Sequence, residues 1–280
     1  MTQTIRKALL SGMLLTLAGC SSTTFVYNRL DFIIPWYMGK YVSLDREQKA
    51  FLDGELQPFL AWHRSEELPA YLLLLDALEQ TLDGEVSQAQ VADIATRFEG
   101  AWQRIELQGL EWMLALGEQL SREQLEEFTE NLREKQVEYE EEYLPRTDEE
   151  YREEAYENLK DSAQDFMGRL DAEQRGNLKQ AAQDMRRADG IWLRERAAWL
   201  ERREVLLQRE EGWQQGIRDA LATRDQTTSA QYLEVFEHNS QMIFKALAQV
   251  ANARTDKQDR RLRKKLDDFR EDIESLIAEQ

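Results

Sequence analysis

One short phrase recurs along the chain and constrains its fold more than any other feature. It has the form Leu, Ser or Asp, any residue, Glu, Gln, and it occurs at residues 44–48, 120–124 and 170–174, with a weaker copy at 86–90. Ser and Asp are preferred helix N-caps, and a Gln three residues later completes a capping box by reaching back to the N-cap amide. Each copy therefore predicts the start of an α-helix, and the pairs Leu120 with Leu125 and Val86 with Val91 add hydrophobic staples.

The composition extends this prediction to the whole chain. Only 4 prolines and 13 glycines occur in 280 residues, and no alternating apolar and polar run bounded by turn residues predicts a strand. Glu, Gln, Leu, Arg and Ala dominate, and these residues lose little on entering a helix. We expect an all-α, multi-helix bundle of roughly nine helices, at 25–42 (broken at Pro35), 45–64 (kinked or interrupted at Pro58), 68–82, 88–117, 122–143, 148–168, 172–222, 228–252 and 256–278.

Aromatic residues recur every seven positions in the longest of these predicted helices. Trp192, Trp199, Leu206 and Trp213 form this series, which is typical of one buried seam of a helical bundle. An exposed aromatic ligand platform is the alternative. A change of composition near residues 116–121 indicates two helical halves, 25–118 and 119–280, or else an ordinary loop within one continuous domain.

The single cysteine of the chain, Cys20, ends the tetrapeptide Leu17-Ala18-Gly19-Cys20. Two basic residues and an apolar run at 8–17 precede it, and this run is too short to span a bilayer but suits a signal peptide. The tetrapeptide resembles the lipobox of bacterial lipoproteins. That resemblance implies a signal peptide at 1–19, removed before Cys20, and a short tether at 20–24. It also implies a diacylglycerol on the Cys20 sulfur and a fatty acyl chain such as palmitate on the new amine.

The resemblance also implies a location. Ser21 and Ser22 follow the cysteine, whereas an aspartate there usually marks retention at the inner membrane of Gram-negative bacteria. We therefore expect the outer membrane, with the protein facing the periplasm, and regard the inner membrane as the less favoured alternative. Three acyl chains on one residue exceed what stable membrane anchoring requires.

The remaining composition limits the possible chemistry. With Cys20 acylated, no thiol is left for a disulfide, a metal site or a nucleophile, and the covalent lipid is the only cofactor that we expect. The formal net charge of −18 disfavours nucleic acid and favours cations or basic polypeptides as partners.

No spacing that catalysis demands appears in the sequence. Gly-rich phosphate loops, Gly-x-Ser-x-Gly elbows and His-based metal motifs are absent, so we expect no metal site. The two histidines, His63 and His238, are better explained as structural residues than as ligands. Lytic transglycosylases use a Glu followed by Ser, but the only such pair, Glu274-Ser275, lies on a charged terminal helix. An envelope enzyme whose carboxylates meet only in the fold remains the alternative to a non-enzymatic protein.

Two charged stretches supply candidate binding residues. Glutamates alternate with tyrosines over residues 138–157, which makes Tyr139, Tyr143, Tyr151 and Tyr156 either a partner-binding surface or a face that packs on the bundle. Near the C-terminus a basic patch could contact anionic lipid or an acidic partner, or could be offset by the acidic residues that follow it. Its members are Arg260, Arg261, Arg263, Lys264 and Lys265.

The aromatic-rich opening segment, residues 25–38, follows Cys20 closely. It could lie in the membrane interface, but its apolar residues surround the helix, and this pattern favours packing into the core.

Four stretches, 25–31 (FVYNRLD), 35–37 (PWY), 60–64 (LAWHR) and 66–71 (EELPAY), together resemble a family of uncharacterised proteobacterial helical lipoproteins. The capping phrase resembles, more weakly, the LTxxQ motif of periplasmic chaperones, which implies the binding of unfolded clients. We expect a non-enzymatic scaffold, adaptor or chaperone-like polypeptide binder of undetermined oligomeric state, with a cell-wall or lipid-active envelope enzyme as the alternative.

Overall fold

A computed structural model describes residues 20–279, and within that range the chain is helical and contains no strand. The predicted signal peptide, residues 1–19, lies outside the described residues. The all-α class predicted from the sequence is confirmed. The helices are α1 (Cys20–Tyr27), α2 (Leu30–Met38), α3 (Arg46–Trp62), α4 (Leu68–Leu82), α5 (Gln88–Gln119), α6 (Arg122–Tyr143), α7 (Asp148–Met167), α8 (Ala172–Asp184), α9 (Asp189–Leu206), α10 (Trp213–Ala222), α11 (Arg224–Thr227), α12 (Ala230–Asn252) and α13 (Asp256–Ala278). A π-helical turn, His63–Glu67, joins α3 to α4.

All four predicted helix starts carry complete capping boxes. In each box the N-cap side chain accepts a hydrogen bond from the amide three residues later, and the side chain at that position accepts one from the N-cap amide. The boxes begin α3 (Asp45 with Gln48), α5 (Ser87 with Gln90), α6 (Ser121 with Gln124) and α8 (Asp171 with Gln174). Two further boxes begin α7 (Thr147 with Glu150) and α13 (Thr255 with Gln258).

The capping glutamines of α3 and α6 also bind each other. The Nε2 atom of Gln48 lies 2.8 Å from Gln124 Oε1, and the Nε2 atom of Gln124 lies 2.7 Å from Gln48 Oε1. Each amide donates its second hydrogen to the other segment's backbone, Gln48 to the carbonyl of Gln119 and Gln124 to that of Ser43. These carbonyls lie two residues before the two N-caps. One residue type thus caps its own helix and fixes that helix against another.

The same arrangement joins α8 to α13. Gln174 and Gln258 exchange side-chain hydrogen bonds of 3.1 and 2.9 Å, and they donate to the carbonyls of Ala253 and Arg169 respectively. These carbonyls again lie two residues before the N-caps. Gln174 is fully buried, so its polar atoms are satisfied by protein groups alone. We call the Gln48–Gln124 and Gln174–Gln258 pairs the two glutamine junctions.

Apolar clusters surround these junctions. The larger contains side chains of α4, α7, α8, α12 and α13, including the fully buried Leu170 and Leu178. A second lies between α3, α5 and α6 and contains the fully buried Leu52 and Leu56. Helices on either side of residue 118 pack against one another, α12 against α5 and α13 against α4.

The single helix predicted at 172–222 is wrong, because the chain bends twice within it. Between α8 and α9, the side chain of Asn239 binds both the amide and the carbonyl of Arg186 at 2.8 Å, which holds the backbone out of a helix. Between α9 and α10, Gly212 has a left-handed φ of 85°, which glycine adopts without steric cost. Both bends depend on contacts or conformations that an apolar period does not reveal.

The seven-residue aromatic series is therefore divided between two helices. Trp192 is buried on α9 and contacts the rings of Tyr139 and Tyr143. Trp213, on α10, lies over Gly117, where an added Cβ would come within 3.0 Å of its ring. Trp192 is buried, whereas Trp199, Leu206 and Trp213 are partly exposed, and the four do not form one continuous buried seam.

Both prolines expected to break helices lie inside them. Pro35 is within α2 and Pro58 within α3, and the irregularity follows Pro58 as the π-helical turn. The opening segment divides earlier than expected, at residues 28–29 between α1 and α2.

Candidate functional site

The described part of the chain begins with two helices that expose large apolar side chains. Phe25 is 57% exposed, Phe32 67% and Trp36 58%, and α2 contains no buried residue. The exposed Arg29 lies at the break between α1 and α2, and the exposed Lys40 lies just after α2. We call these five residues the N-terminal aromatic face.

This exposure contradicts the expectation that residues 25–38 pack into the core. Ile34 and Met38 do contact the cluster between α3 and α6 and fix α2 to the body. The larger rings point away from it. Apolar residues on all sides of a helix therefore reflect two different environments here, protein on one side and the surroundings on the other.

Each cation of the N-terminal aromatic face lies over a ring. The guanidinium carbon of Arg29 is 4.6 Å from the centroid of Phe25, and the Nζ atom of Lys40 is 4.4 Å from that of Trp36. Cation–π contacts of this length are attractive and leave the charge accessible from outside. The face therefore combines apolar rings with positive charge in an acidic protein.

Helix α1 is fixed to the last helix of the chain by a buried carboxylate. Asp272 of α13 accepts hydrogen bonds from the hydroxyls of Thr23 and Thr24. Burial raises the pKa of Asp272, the two threonine hydrogen bonds lower it, and the neighbouring Asp268 and Glu271 raise it. The first turn after the cysteine is thus docked on the body rather than forming a free linker.

A second contact closes the end of α1. The side chain of Asn28 donates to Glu279 at 2.8 Å and accepts from the Nη2 atom of Arg64 at 2.8 Å. Arg64 also lies 3.8 Å from the Glu279 carboxylate and over the ring of Tyr27. The start and the end of the described chain therefore meet at the π-helical turn.

His63, the first residue of that turn, lies between two tyrosines. Its Nδ1 atom is 3.0 Å from the hydroxyl of Tyr27, and its Nε2 atom is 3.2 Å from that of Tyr71. Burial lowers the pKa of His63, against the opposing effect of Glu67, and burial raises the pKa of both tyrosines. The neutral imidazole, with one donor and one acceptor nitrogen, matches two hydroxyls that can each take either role.

The last residue of the turn is a buried acid. Glu67 is 3% exposed, and it forms a two-point ion pair with Arg104 of α5 at 2.6 and 2.9 Å. A π-helical turn shifts the register of the residues beyond it, and such turns are frequent at functional sites. Here the turn brings His63 under α1 and Glu67 against α5.

A groove of about 670 Å³ runs between α1 and the turn. Polar side chains from α1, the start of α2 and the π-helical turn line the groove, together with apolar side chains of α3. The lining side chains are Tyr27, Asn28, Asp31, Gln57, Leu60, Ala61, Trp62, Arg64 and Ser65.

The candidate tyrosines occupy two separate places. Tyr139 and Tyr143 stack on each other and contact the ring of Trp192 at an angle, while Tyr151 is 6% exposed beside Arg146. Tyr156, on the same helix as Tyr151, packs on the largest apolar cluster instead. Burial raises the pKa of Tyr143 and of Tyr151 to about 12. The four do not form one continuous surface, and a partner-binding role for them stays a prediction.

The basic patch is largely engaged with acidic groups. Arg263 pairs with Asp259 at 2.9 Å and Asp83 at 3.1 Å, Lys264 with Asp268 at 2.7 Å, and Lys265 with Asp165. Arg260 and Arg261 are exposed, and the guanidinium of Arg261 lies over Gly168. The offsetting charges come from three segments, α13, α7 and the residue after α4, and not only from the acidic residues that follow in α13.

Cys20 begins α1, and its side chain lies outside what the structure describes. Across residues 20–279 no group of His, Cys, Asp or Glu is arranged to hold a metal ion. No helix of that range is long and apolar enough to cross a membrane.

Sequence reasoning missed the parts that define this site. The exposure of Phe32 and Trp36, the bonds from Thr23 and Thr24 to Asp272, and the π-helical turn all arise from tertiary contacts. The available signal was the recurrence of aromatic rings and cations every three or four residues over residues 25–40.

Comparison with known proteins gives a family but no activity. A model described as a family of unknown function, DUF6279, matches residues 40–233. No curated protein and no solved structure matches the chain.

Proposed function

The chain belongs to the DUF6279 family of unknown function, so we infer its role from its own residues. We propose that it is a membrane-anchored periplasmic lipoprotein. In this proposal it acts as a non-enzymatic helical scaffold or adaptor for polypeptides. The lipid is carried by Cys20 and the outer membrane is the favoured location, as the lipobox resemblance implies. Chaperone-like binding of unfolded chains is one form that this role could take.

The observation that carries the proposal is the direct connection between Cys20 and the body. Helix α1 begins at the cysteine. Its Thr23 and Thr24 bind Asp272 of α13, and Asn28, just after the helix, accepts a hydrogen bond from Arg64 of the π-helical turn. At 1.5 Å per residue, the helix axis from Cys20 to Phe25 advances only about 7.5 Å. A lipid on Cys20 would therefore hold the body at the bilayer surface in one orientation, which suits a scaffold that presents a defined face.

The state of the buried acids supports a non-enzymatic role. Glu67 is paired with Arg104, and Asp189 with Arg146 and Arg187. A glycosidase-type mechanism needs two facing carboxyl groups, one of them with a raised pKa. The buried carboxyl with a raised pKa, Asp272, faces two threonines instead. The acidic surface favours basic segments of a polypeptide as partners.

The test is in-cell crosslinking of the full chain, followed by mass spectrometry of the purified adducts and of the intact protein. We expect residues 1–19 to be absent, acyl groups on Cys20, and crosslinked envelope proteins that disappear in Cys20→Ser. Ser22→Ala is the matched control and should retain both the lipid and the adducts. An intact residue 1–19 segment without an acyl group would contradict the anchor. Identical adducts in Cys20→Ser would contradict the need for a membrane position.

A further inference from the structure

We propose that the N-terminal aromatic face is a second membrane contact, which inserts its rings into the interfacial layer of a bilayer bearing anionic headgroups. The inference deepens the proposed function, because it rests on a body held near the membrane at Cys20. It adds a contact that depends on protein side chains and that operates without the covalent lipid.

The apolar part of the argument is the exposure of the rings. Phe25, Phe32 and Trp36 are each more than half exposed on one short segment, whereas scattered single apolar residues are normal on a protein surface. Tyr37, on the same helix, is 52% exposed. A contiguous exposed apolar patch marks a site of contact with a membrane or a protein. Tryptophan and tyrosine are enriched at membrane interfaces, because their rings prefer the headgroup level.

The charges on the face favour a bilayer over other occupants. Arg29 and Lys40 lie over its rings, while the chain as a whole carries a net charge of −18. The carboxylate of Asp31 accepts a hydrogen bond from the amide of Phe32 at 2.9 Å and lines the groove. Positive charge next to rings complements lipid phosphates, whereas the acidic remainder of the surface would be repelled by them.

The position of the face agrees with this assignment. It begins five residues after Cys20, the residue that the proposed function anchors in the membrane. Helix α1 is held on α13 by Thr23, Thr24 and Asp272, so the face has a fixed orientation relative to the cysteine. A second copy of the chain or a polypeptide would require no such proximity.

The experiment measures vesicle flotation of residues 20–280 carrying Cys20→Ser, which removes the acyl site and none of the described contacts. Vesicles are made of phosphatidylcholine alone and of phosphatidylcholine with phosphatidylglycerol. We expect binding to both, stronger to the second. Phe32→Ser/Trp36→Ser should lower the partition coefficient about tenfold or more on both. Arg29→Gln/Lys40→Gln should remove the preference for vesicles with phosphatidylglycerol. Each charge should account for about a fivefold difference in the partition coefficient between the two kinds of vesicle.

Leu73→Ser/Leu107→Ser is the matched control, because both leucines are more than half exposed on other helices. This control should bind as the parent does. The proposal is overturned if the parent does not float with the vesicles, or if the control loses as much binding as Phe32→Ser/Trp36→Ser. It is also overturned if Phe32→Ser/Trp36→Ser changes a monomer–dimer equilibrium and leaves vesicle binding unchanged. Circular dichroism must show unchanged helicity, and Phe32→Tyr/Trp36→Tyr should restore much of the binding.

The result is separate from the test of the anchor. A missing acyl group on Cys20 in cells refutes the proposed lipidation while vesicle binding by the unlipidated chain persists. Lipidated protein whose face does not bind vesicles refutes only this inference.

Discussion

The glutamine junctions and the N-terminal aromatic face differ in which kind of side chain is buried and which is exposed. At the junctions, the amides of Gln48, Gln174 and Gln258 are buried, and the hydrogen-bonding groups of the paired glutamines have protein partners. At the face, apolar rings are exposed and nothing in the described chain covers them. This difference indicates that the junctions contribute to the stability of the fold. The exposure of the rings on the face, in contrast, is explained by contact with something outside the protein. Substitutions at the two places should therefore separate stability from binding.

The largest expected effect is at the buried junction. Gln174→Leu should lower the free energy of unfolding by about 3 kcal/mol, because it leaves one N–H of the Gln258 side chain, the Ala253 carbonyl and the Asp171 amide without their partners. Urea unfolding monitored by circular dichroism measures this. Gln180→Leu, at an exposed position on the same helix, should change stability by less than about 0.5 kcal/mol. Equal effects at both positions would mean that the junction does not stabilise the fold.

The ion pair between Glu67 and Arg104 should have the next largest effect. Arg104→Ala should cost about 2 kcal/mol, because Glu67 then stays buried without its partner, although the half-exposed Arg104 site lets water compensate in part. Arg97→Ala, which breaks an exposed pair with Asp93, should cost at most about 0.5 kcal/mol. If Glu67→Gln is as destabilising as Arg104→Ala, geometry rather than an uncompensated charge determines the cost.

A smaller, pH-dependent effect should come from His63. Its pKa in the folded state lies below the unfolded value near 6.5, because burial disfavours the charged ring. The folded state therefore resists protonation, and this contribution to stability is complete above about pH 6.5 and is lost as the pH falls through the folded pKa. The urea midpoint of the parent should fall faster between pH 7 and 5 than that of His63→Phe. Parallel pH profiles would contradict this assignment.

The smallest expected stability effect belongs to the N-terminal aromatic face. Phe32→Ser/Trp36→Ser should change the free energy of unfolding by less than about 0.5 kcal/mol, since both rings are exposed, while it weakens vesicle binding about tenfold or more. Measurement of both quantities on one preparation tests the comparison. A loss of several kcal/mol would show that the rings belong to the fold instead.

The local part of the fold could be read from the sequence. The capping boxes at Asp45, Ser87, Ser121 and Asp171 form within four residues, so the same residue types that predict them also build them. The pairing of Gln48 with Gln124 could not be predicted, because it requires knowing which helix starts meet. The bend at Arg186 likewise depends on Asn239, which lies 53 residues away.

The candidate site was less predictable than the fold. Apolar content alone does not distinguish Ile34, which packs on the body, from Phe32, which is exposed two residues earlier on the same helix. That distinction depends on how α2 sits against α3. Tyr139 and Tyr143 of α6 and Tyr151 of α7 lie on acidic helices, yet their rings pack against Trp192 and Arg146. The spacing of these tyrosines in the sequence does not reveal those contacts.

The most direct test of the account is the depth of residue 32 in a bilayer. With Cys20→Ser the chain contains no other cysteine, so a spin label can be placed at Phe32→Cys, and at Leu107→Cys as the control. On vesicles containing phosphatidylglycerol, we predict that the label at residue 32 becomes more accessible to oxygen than to a water-soluble nickel complex, while the label at residue 107 stays in water. Equal aqueous accessibility of both labels on protein that is bound to the vesicles would contradict the membrane contact.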